Sequence, residues 1–235
     1  MRRRLVDQLV TANRILANEG IIRGFGHVSV RDPETETVLI SQSRSPAFVT
    51  EGDILELTLD GEVLDDDRTT YLENVIHRAI YRARPDVNAV VHHHAESVIP
   101  FAITDVEMRP VTHKGMMFYD GVPKFDDYDE ERGYLIATEA EGERMAENLG
   151  DHRAQLLAGH GANTVGGSLK EAICVTYNFV LNARNQLDGE SLGEITFAPE
   201  SESMVRTTVE EAELSDGVVE RLWEYLSRQL PERSK

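Results

Sequence analysis

The order of apolar and polar residues predicts one helix and then several strands in the first part of the chain. Apolar residues recur at helical spacing near the start, at Leu5, Leu9, Ala12 and Leu16. Alternating apolar residues then predict strands at 27–31, 37–41, 53–59 and 62–64. Because no helical pattern separates these strands, they favour an antiparallel sheet.

The rest of the chain alternates between helical and strand patterns. An apolar stripe predicts a helix over 72–83, which Pro85 ends, and a buried strand follows at 87–91. Residues 105–135 are irregular and are predicted to form a loop that covers a site. The other predicted elements are helices at 95–103, 138–149, 168–187 and 219–230 and strands at 154–158 and 162–165. This pattern predicts one α/β domain over 1–235, with a mainly antiparallel sheet flanked by helices.

Composition narrows the classes of function. The chain has 235 residues, of which 40% are hydrophobic, as expected of a globular protein. The formal net charge of -18 argues against nucleic-acid binding, because phosphates would be repelled. No apolar run approaches the ~20 residues that span a bilayer, so we expect no membrane association and a cytoplasmic location. The single cysteine, Cys174, excludes an intrachain disulfide and is expected to be a small buried residue.

Three consecutive histidines follow the strand predicted at 87–91. If the strand continues, His92 and His94 lie on one face and His93 lies on the other. His92 and His94 would then chelate one divalent ion, and the alternative is that they are ordinary buried histidines. His93 cannot join that chelate without breaking the strand.

Two more residues are candidates for the same chemistry. His160 stands between Gly159 and Gly161, which permit close approach, although Gly-His-Gly is also an ordinary turn. Glu73 lies at a helix start, where a carboxylate also favours the helix dipole, and His77 lies one turn later within reach. Three neutral imidazoles are typical of catalytic zinc, whereas two histidines and a carboxylate are typical of non-haem iron. The residues alone leave both ligand sets open.

An ordered set of motifs resembles the class II aldolase/adducin family, which includes L-fuculose-1-phosphate aldolase and L-ribulose-5-phosphate 4-epimerase. The motifs are GHVSVR at 26–31, ENVIH at 73–77, RARPDVNAVVHHH at 82–94 and GHG at 159–161. The resemblance implies a three-layer α/β/α sandwich with a mainly antiparallel central sheet. Members commonly form homotetramers with sites between subunits.

The resemblance also implies the roles of the site residues. His92, His94 and His160 would hold one divalent metal ion per subunit, most often zinc, with manganese or iron as alternatives. Glu73 would be the acid/base residue beside the ion. Which residue of a neighbouring subunit completes the pocket stays open, and Tyr119 and Tyr128 in the irregular segment are candidates.

The chain departs from the sugar-phosphate members of this family where they bind phosphate. His27 replaces a usual asparagine, SQSRSP at 41–46 replaces a Ser/Thr-rich loop, and Tyr71 and Leu72 replace serines. The SQSRSP segment and RPVTH at 109–113 are similar to a branch with decarboxylases of dihydroxyaryl acids and oxygenases of aryl pyruvates. Arg44 is then a candidate to bind a carboxylate, with a solvated surface arginine as the alternative. The candidate substrate-binding residues are His27, Ser43, Arg44 and His113.

Aldol cleavage and decarboxylation both break a carbon–carbon bond and leave a carbanion. A metal ion that chelates two adjacent oxygens of a hydroxy-keto or dihydroxyaryl acid would spread this charge as an enediolate, while Glu73 moves the proton. We therefore expect a metal-dependent carbon–carbon lyase with a small, anionic, non-phosphorylated substrate. The alternatives are a sugar-phosphate aldolase or 4-epimerase, a metal-dependent oxygenase, and a non-catalytic adducin-like assembly module.

Overall fold

A seven-stranded sheet forms the centre of the molecule in a computed structural model that describes residues 2–198 and 201–231. The strands are β1 His27–Asp32, β2 Thr37–Ser41, β3 Ile54–Leu57, β4 Ala89–His93, β5 Lys124–Phe125, β6 Ala154–Leu157 and β7 Gly161–Gly166. Their order is β3-β2-β1-β4-β7-β6-β5, and every neighbouring pair except β5–β6 is antiparallel. The prediction of a mainly antiparallel sheet is therefore confirmed.

Helices cover both faces of this sheet. They are α1 Arg2–Asn18, α2 Asn74–Ala83, α3 Ile99–Ala102, α4 Glu139–Leu149, α5 Leu169–Leu192, α6 Glu202–Thr208 and α7 Asp216–Arg228. The long helix α5 begins where its sequence predicts, because the Ser168 side chain accepts a hydrogen bond from the Glu171 backbone N–H. Within the described residues, no helix combines the length and the apolar character that crossing a bilayer requires.

Two hydrophobic cores separate the helices from the sheet and make three layers. The first core joins α1 and α5 to one face of the sheet, and the second joins α2 and α4 to the other face. Residues of β4 alternate between them, since Ala89 and Val91 enter the first core and Val90 enters the second. This alternation decides on which side of the sheet each following histidine lies.

The structure differs from the predicted elements where the chain is irregular. The strand predicted at 62–64 makes only an isolated bridge between Leu57 and Val63. The segment 105–135 contains a 3-10 helix, His113–Phe118, and the two-residue strand β5, which is too short to leave a period in the sequence. Helix α6 and the π-helical turn Val209–Glu213 were also not predicted.

Candidate metal centre

A row of polar side chains crosses three neighbouring strands on the α2–α4 side of the sheet. Strand pairing places His27 of β1 opposite His92 of β4, and His92 opposite Asn163 of β7. The His27 and His92 rings stack with their centres 4.9 Å apart. His93 points into the first core, where its ring meets Phe179 of α5. The prediction that His93 faces away from His92 is confirmed.

Three histidine rings converge at the end of this row. His94 follows the last residue of β4, and its Nε2 lies 3.1 Å from Nε2 of His92. The ring of His160 lies with its centre 5.0 Å from both of the other rings. In a tetrahedral zinc site with Zn–N bonds of ~2.0 Å, ligand nitrogens lie about 3.3 Å apart. The spacing of His92 and His94 therefore suits two ligands of one ion.

The hydrogen bonds of His92 leave one of its nitrogens free for a metal. Its Nδ1 lies 2.8 Å from Oδ1 of Asn163. The Asn163 amide nitrogen is directed at Met145 Sδ and at Gln155 Oε1, both acceptors, so its oxygen faces His92. Nδ1 of His92 must then carry the proton, and Nε2 presents a lone pair. A buried partner that orients a ligating histidine in this way is usual in metal sites.

His94 and His160 are also held as neutral rings. Burial lowers the pKa of His94, opposed by a hydrogen bond to the backbone of Phe25. Burial and the neighbouring His94 lower the pKa of His160 to about 4. Both rings are therefore unprotonated at neutral pH, as metal ligands must be.

Glycine at position 161 brings β7 close enough for His160 to reach the other rings. A Cβ atom on Gly161 would lie 2.5 Å from the carbonyl oxygen of His93, so a larger residue would push the strands apart. Gly159, on the other side of His160, has a φ of +67°, a conformation that favours glycine. The Gly-His-Gly motif thus has a steric cause on both sides of the histidine.

Glu73 lies beside the three rings, immediately before α2. Its Oε2 is 3.7 Å from Nε2 of His160 and 3.9 Å from Nε2 of His92. Its Oε1 accepts a hydrogen bond of 3.1 Å from the Ile136 backbone N–H. Burial raises the pKa of Glu73 to about 7, and the Ile136 hydrogen bond opposes this rise only in part. A carboxyl group that titrates near neutral pH can both give and take a proton there.

A second group of possible ligand atoms overlaps the first. His27, Glu73 and His92 also offer nitrogens and an oxygen within 4.8 Å of one another, as do His92, His94 and His160. Both ligand sets that the sequence leaves open are therefore brought together, and they share His92.

The family model of the class II aldolase and adducin N-terminal domain matches residues 7–187. This chain belongs to that family. Class II aldolases use a divalent metal ion, and the three convergent imidazoles fit that requirement.

Similar proteins include enzymes named for carbon–carbon bond cleavage. A decarboxylase, tropJ, from Talaromyces stipitatus is 30% identical over 96% of this chain and 93% of its own length. A 3,4-dihydroxyphthalate decarboxylase from Arthrobacter keyseri is 29% identical over 71% of each chain. The crystal structure of an aldolase II superfamily protein from Pseudomonas syringae matches with a TM-score of 0.82 and 26% identity, covering 97% of this chain and 92% of the other. These matches support a lyase and confirm the predicted class II aldolase-like fold.

Three of the four candidate substrate-binding residues line a cavity of about 470 Å³ beside the metal centre. His27, Ser43 and Arg44 line this cavity together with Glu73 and the rings of His94 and His160. A cavity of about 500 Å³ elsewhere is lined by none of the candidate metal ligands or substrate-binding residues, so size alone does not identify the site.

The Arg44 side chain already binds a carboxylate of this chain, that of Asp53. Its Nη1 lies 3.0 and 3.2 Å from the two carboxylate oxygens of Asp53. Burial of Asp53 is outweighed by hydrogen bonds from Thr50, Gln42 and Arg44, which lower the pKa of that carboxyl to about 2. The carboxylate that Arg44 binds in this structure is thus its own neighbour, and a substrate carboxylate would have to share it.

His113, Tyr119 and Tyr128, the remaining candidates from the sequence, lie in three different places. His113 is not among the residues that line the metal cavity, and its Nε2 lies 3.5 Å from Glu213. Tyr119 lines the separate cavity of about 500 Å³. Tyr128 is close enough to Glu73 for that carboxyl to raise its pKa, after the larger effect of burial. Its hydroxyl is buried and has no hydrogen-bond partner among the described residues.

Several contacts of the site carry no signal in the sequence. His77 does not pair with Glu73 but bonds to His27 and to Ser29. Asn163 orients His92 only because β7 pairs with β4. The backbone of Ile136, in the irregular segment, holds Glu73. Each of these contacts depends on strand order or loop path, which a single sequence does not specify.

Proposed function

We propose that this protein is a divalent-metal-dependent carbon–carbon lyase that cleaves a small, non-phosphorylated anion, either a hydroxy-keto acid or a dihydroxyaryl acid. The observation that carries the proposal is the meeting of three neutral imidazoles with one buried carboxyl group. Nε2 of His92 and His160 lie within 3.9 Å of Oε2 of Glu73. Metal-held substrate oxygens would therefore lie next to a group that can move protons.

The ligand set supports a metal that acts as a Lewis acid. When bound, a divalent cation, most often zinc in such sites, polarises substrate oxygens and stabilises the negative charge left by bond cleavage. Three neutral ligands leave the full double positive charge of that cation uncompensated, which favours an anionic substrate. Zinc is part of the proposal, and manganese and iron are its alternatives.

Glu73 is proposed to handle the proton at the carbon where the bond breaks. Decarboxylation releases carbon dioxide and leaves an electron pair on carbon, which must take up a proton. The protonated form of Glu73 can donate it from Oε2, because the pKa of this carboxyl is raised to about 7. Ile136 holds Oε1, so the oxygen that faces the histidines is the one free to act.

The rim of the cavity favours an aryl substrate over a sugar phosphate. Phe25, Leu72 and Leu135 line it with side chains that are 83%, 64% and 44% exposed. The Tyr71 ring lies 4.5 Å from that of His27, and its hydroxyl donates to the Arg44 carbonyl rather than into the cavity. An exposed apolar rim favours a flat, apolar ring body whose polar atoms lie at the metal end. We place decarboxylation of a dihydroxyaryl acid ahead of aldol cleavage on this ground.

The assembly is also part of the proposal. We propose a homotetramer with sites at subunit interfaces, because the apolar side chains around the cavity are open to solvent in one chain. A neighbouring subunit would cover part of this rim. Sedimentation of the purified protein would decide the oligomeric state.

A metal analysis combined with a turnover screen tests the proposal. The purified protein should carry about one divalent ion per chain and should release carbon dioxide from 3,4-dihydroxyphthalate or a related acid. The screen should include hydroxy-keto acids and sugar phosphates. His94→Ala should lose both the ion and the activity, whereas Glu224→Gln, a change at the exposed ion pair with Arg228, should keep both. A protein without stoichiometric metal, or a fully active His94→Ala, would end the proposal.

A further inference from the structure

A chain of buried hydrogen bonds runs from the metal cavity into the layer between β1 and α2. Nδ1 of His27 lies 2.6 Å from Nε2 of His77, and Nδ1 of His77 lies 2.6 Å from Oγ of Ser29. Ser29 Oγ in turn lies 2.7 Å from the hydroxyl of Tyr81. All four side chains are buried, with at most 3% of any one exposed. Each bond therefore needs one donor and one acceptor, with no water to supply the missing partner.

The inner end of the chain sets the direction of every bond. The hydroxyl of Tyr81 contacts Ser29 Oγ and is approached by the backbone N–H of Val90. Of these two groups only Ser29 Oγ can accept a hydrogen bond, because a backbone N–H is only a donor. The Tyr81 hydroxyl therefore donates to Ser29 Oγ. The Ser29 hydroxyl then donates a hydrogen bond to Nδ1 of His77, so this nitrogen has to be unprotonated.

The order of protons continues from His77 to the cavity. With Nδ1 bare, the proton of neutral His77 is on Nε2, which donates to Nδ1 of His27. Nδ1 of His27 is then an acceptor, so the proton of His27 is on Nε2. Since His27 lines the metal cavity and its Nδ1 faces α2, Nε2–H is the group that it presents to a ligand.

The reverse order fails at Tyr81. If His27 donated to His77, His77 to Ser29 and Ser29 to Tyr81, the phenol proton would have no acceptor in the described structure. An unsatisfied buried donor is costly, and this cost selects the first order. An additional proton on either ring does not change the outcome, because Nε2 of His27 carries hydrogen in those states too.

We propose that His27 donates a hydrogen bond from Nε2 to an anionic oxygen of the substrate, and that Tyr81, Ser29 and His77 are positioning residues that keep this nitrogen protonated. Nε2 is then a donor and not a metal ligand, which leaves His92, His94 and His160 as the ligand set. The role toward substrate rests on the proposed function. The direction of the hydrogen bonds does not, and it can be tested separately.

Neutron diffraction on deuterated, zinc-loaded crystals tests the direction. Deuterium is expected on Nε2 of His27 and of His77, and on the Ser29 hydroxyl directed at His77. A deuterium on Nδ1 of His27, or a zinc ion bound to its Nε2, would overturn the inference whatever reaction the enzyme catalyses.

Steady-state kinetics with the acid found in the turnover screen tests the role toward substrate. His27→Leu should lower kcat/KM at least about 10-fold, mostly through KM, with zinc content unchanged. His27→Gln should recover part of this loss, because its amide can donate in place of Nε2. Equal losses in the two variants would show that His27 only fills space, and a loss explained by missing zinc would show that His27 acts on the metal and not on the substrate.

The positioning residues have their own matched control. Tyr81→Phe removes the hydroxyl that orders the chain, so kcat/KM should fall in the same sense as in His27→Leu, by a smaller factor. Thr176→Val removes another fully buried hydroxyl, one that faces Thr164 on the other side of the sheet. Thr176→Val should lower the free energy of unfolding but leave kcat/KM unchanged. If both variants change kcat/KM equally, the effect of Tyr81→Phe is loss of packing and the positioning role is wrong.

Discussion

Asn163 of β7 accepts a hydrogen bond of 2.8 Å from Nδ1 of His92, the residue opposite it on β4. This bond keeps the other nitrogen of His92 bare for a metal. Asn163→Leu should therefore weaken zinc affinity by about 10- to 100-fold, as loss of such orienting partners usually does. Competition for zinc against a chelating dye would measure the change.

The control for that prediction lies one residue along the same strand. Thr164 is equally buried but faces α5, where its hydroxyl bonds to Thr176. Thr164→Val should leave zinc affinity within experimental error. Asn163→Asp, which keeps an acceptor oxygen, should bind zinc better than Asn163→Leu. If Asn163→Leu and Thr164→Val behaved alike, the bond to His92 would have no part in metal binding.

His92 and His93 are adjacent, fully buried and on opposite faces of the sheet. His92→Leu should lose the ion, because it removes the ligand that both possible ligand sets share. His93→Leu should keep about one ion per chain, since its ring packs on Phe179 and burial lowers its pKa to about 3, leaving a neutral core residue. Elemental analysis of the two proteins after dialysis is the measurement. Loss of zinc from His93→Leu, with the fold intact, would contradict the alternation of β4.

Glu73→Gln tests the acid/base role apart from metal binding. The amide keeps the size of the side chain and its contact with the Ile136 N–H but cannot transfer a proton. We expect kcat to fall by ~10²- to 10⁴-fold while zinc content stays at the wild-type level. The comparison needs turnover and metal content measured on the same preparation. A Glu73→Gln enzyme with wild-type kcat would remove Glu73 from the reaction.

The same substitution predicts a pH dependence of stability in the metal-free protein. Burial raises the pKa of Glu73 from 4.5 to about 7, so the folded state holds this proton more tightly than the unfolded state. The stabilisation is complete below pH 4.5 and is lost as the pH rises through 7. The loss amounts to at most about 3 kcal/mol at 1.36 kcal/mol per pKa unit.

Glu73→Gln cannot ionise, so subtraction isolates this effect from the buried histidines, whose lowered pKa values act in the opposite direction. The free energy of unfolding of the wild type minus that of Glu73→Gln should fall between pH 4.5 and 7. Denaturant unfolding with a chelator present, at several pH values, gives both curves. Parallel curves would show that Glu73 titrates normally.

The sequence predicts those features of the fold and the site that depend on residues close together along the chain. Alternation on β4 is enough to separate His92 from His93, and the apolar stripe of α2 is enough to place Glu73 at a helix start. The two-residue strand β5 was missed because it has no period of its own. The sequence makes Arg44 a candidate to bind a substrate carboxylate, with a solvated arginine as the alternative, but its contact with Asp53 depends on how a loop folds back.

The partners of the site residues lie beyond what one sequence specifies. His77 was expected beside Glu73 because the two are one helical turn apart. It bonds instead to His27 and Ser29, because α2 packs against β1 in the folded chain. The spacing of residues along the sequence does not predict this contact. Asn163 likewise gains its role from the β4–β7 pairing, across 71 residues of sequence.

Leu72 lies on the rim of the metal cavity, directly before Glu73, and it tests the substrate class. Its side chain is 64% exposed on the rim of the metal cavity, so an aryl ring bound there would cover it. Losing that contact should cost about 1 kcal/mol, from ~25 cal/mol per Å² of apolar surface, which is a roughly 5-fold rise in KM for a dihydroxyaryl acid. Leu72→Ser should show this rise with little change in kcat. Phe48→Ser is the control, because Phe48 is 66% exposed but does not line the cavity, and its KM should stay unchanged. A lower KM for a sugar phosphate than for the aryl acid in the wild type would reverse the assignment of substrate class.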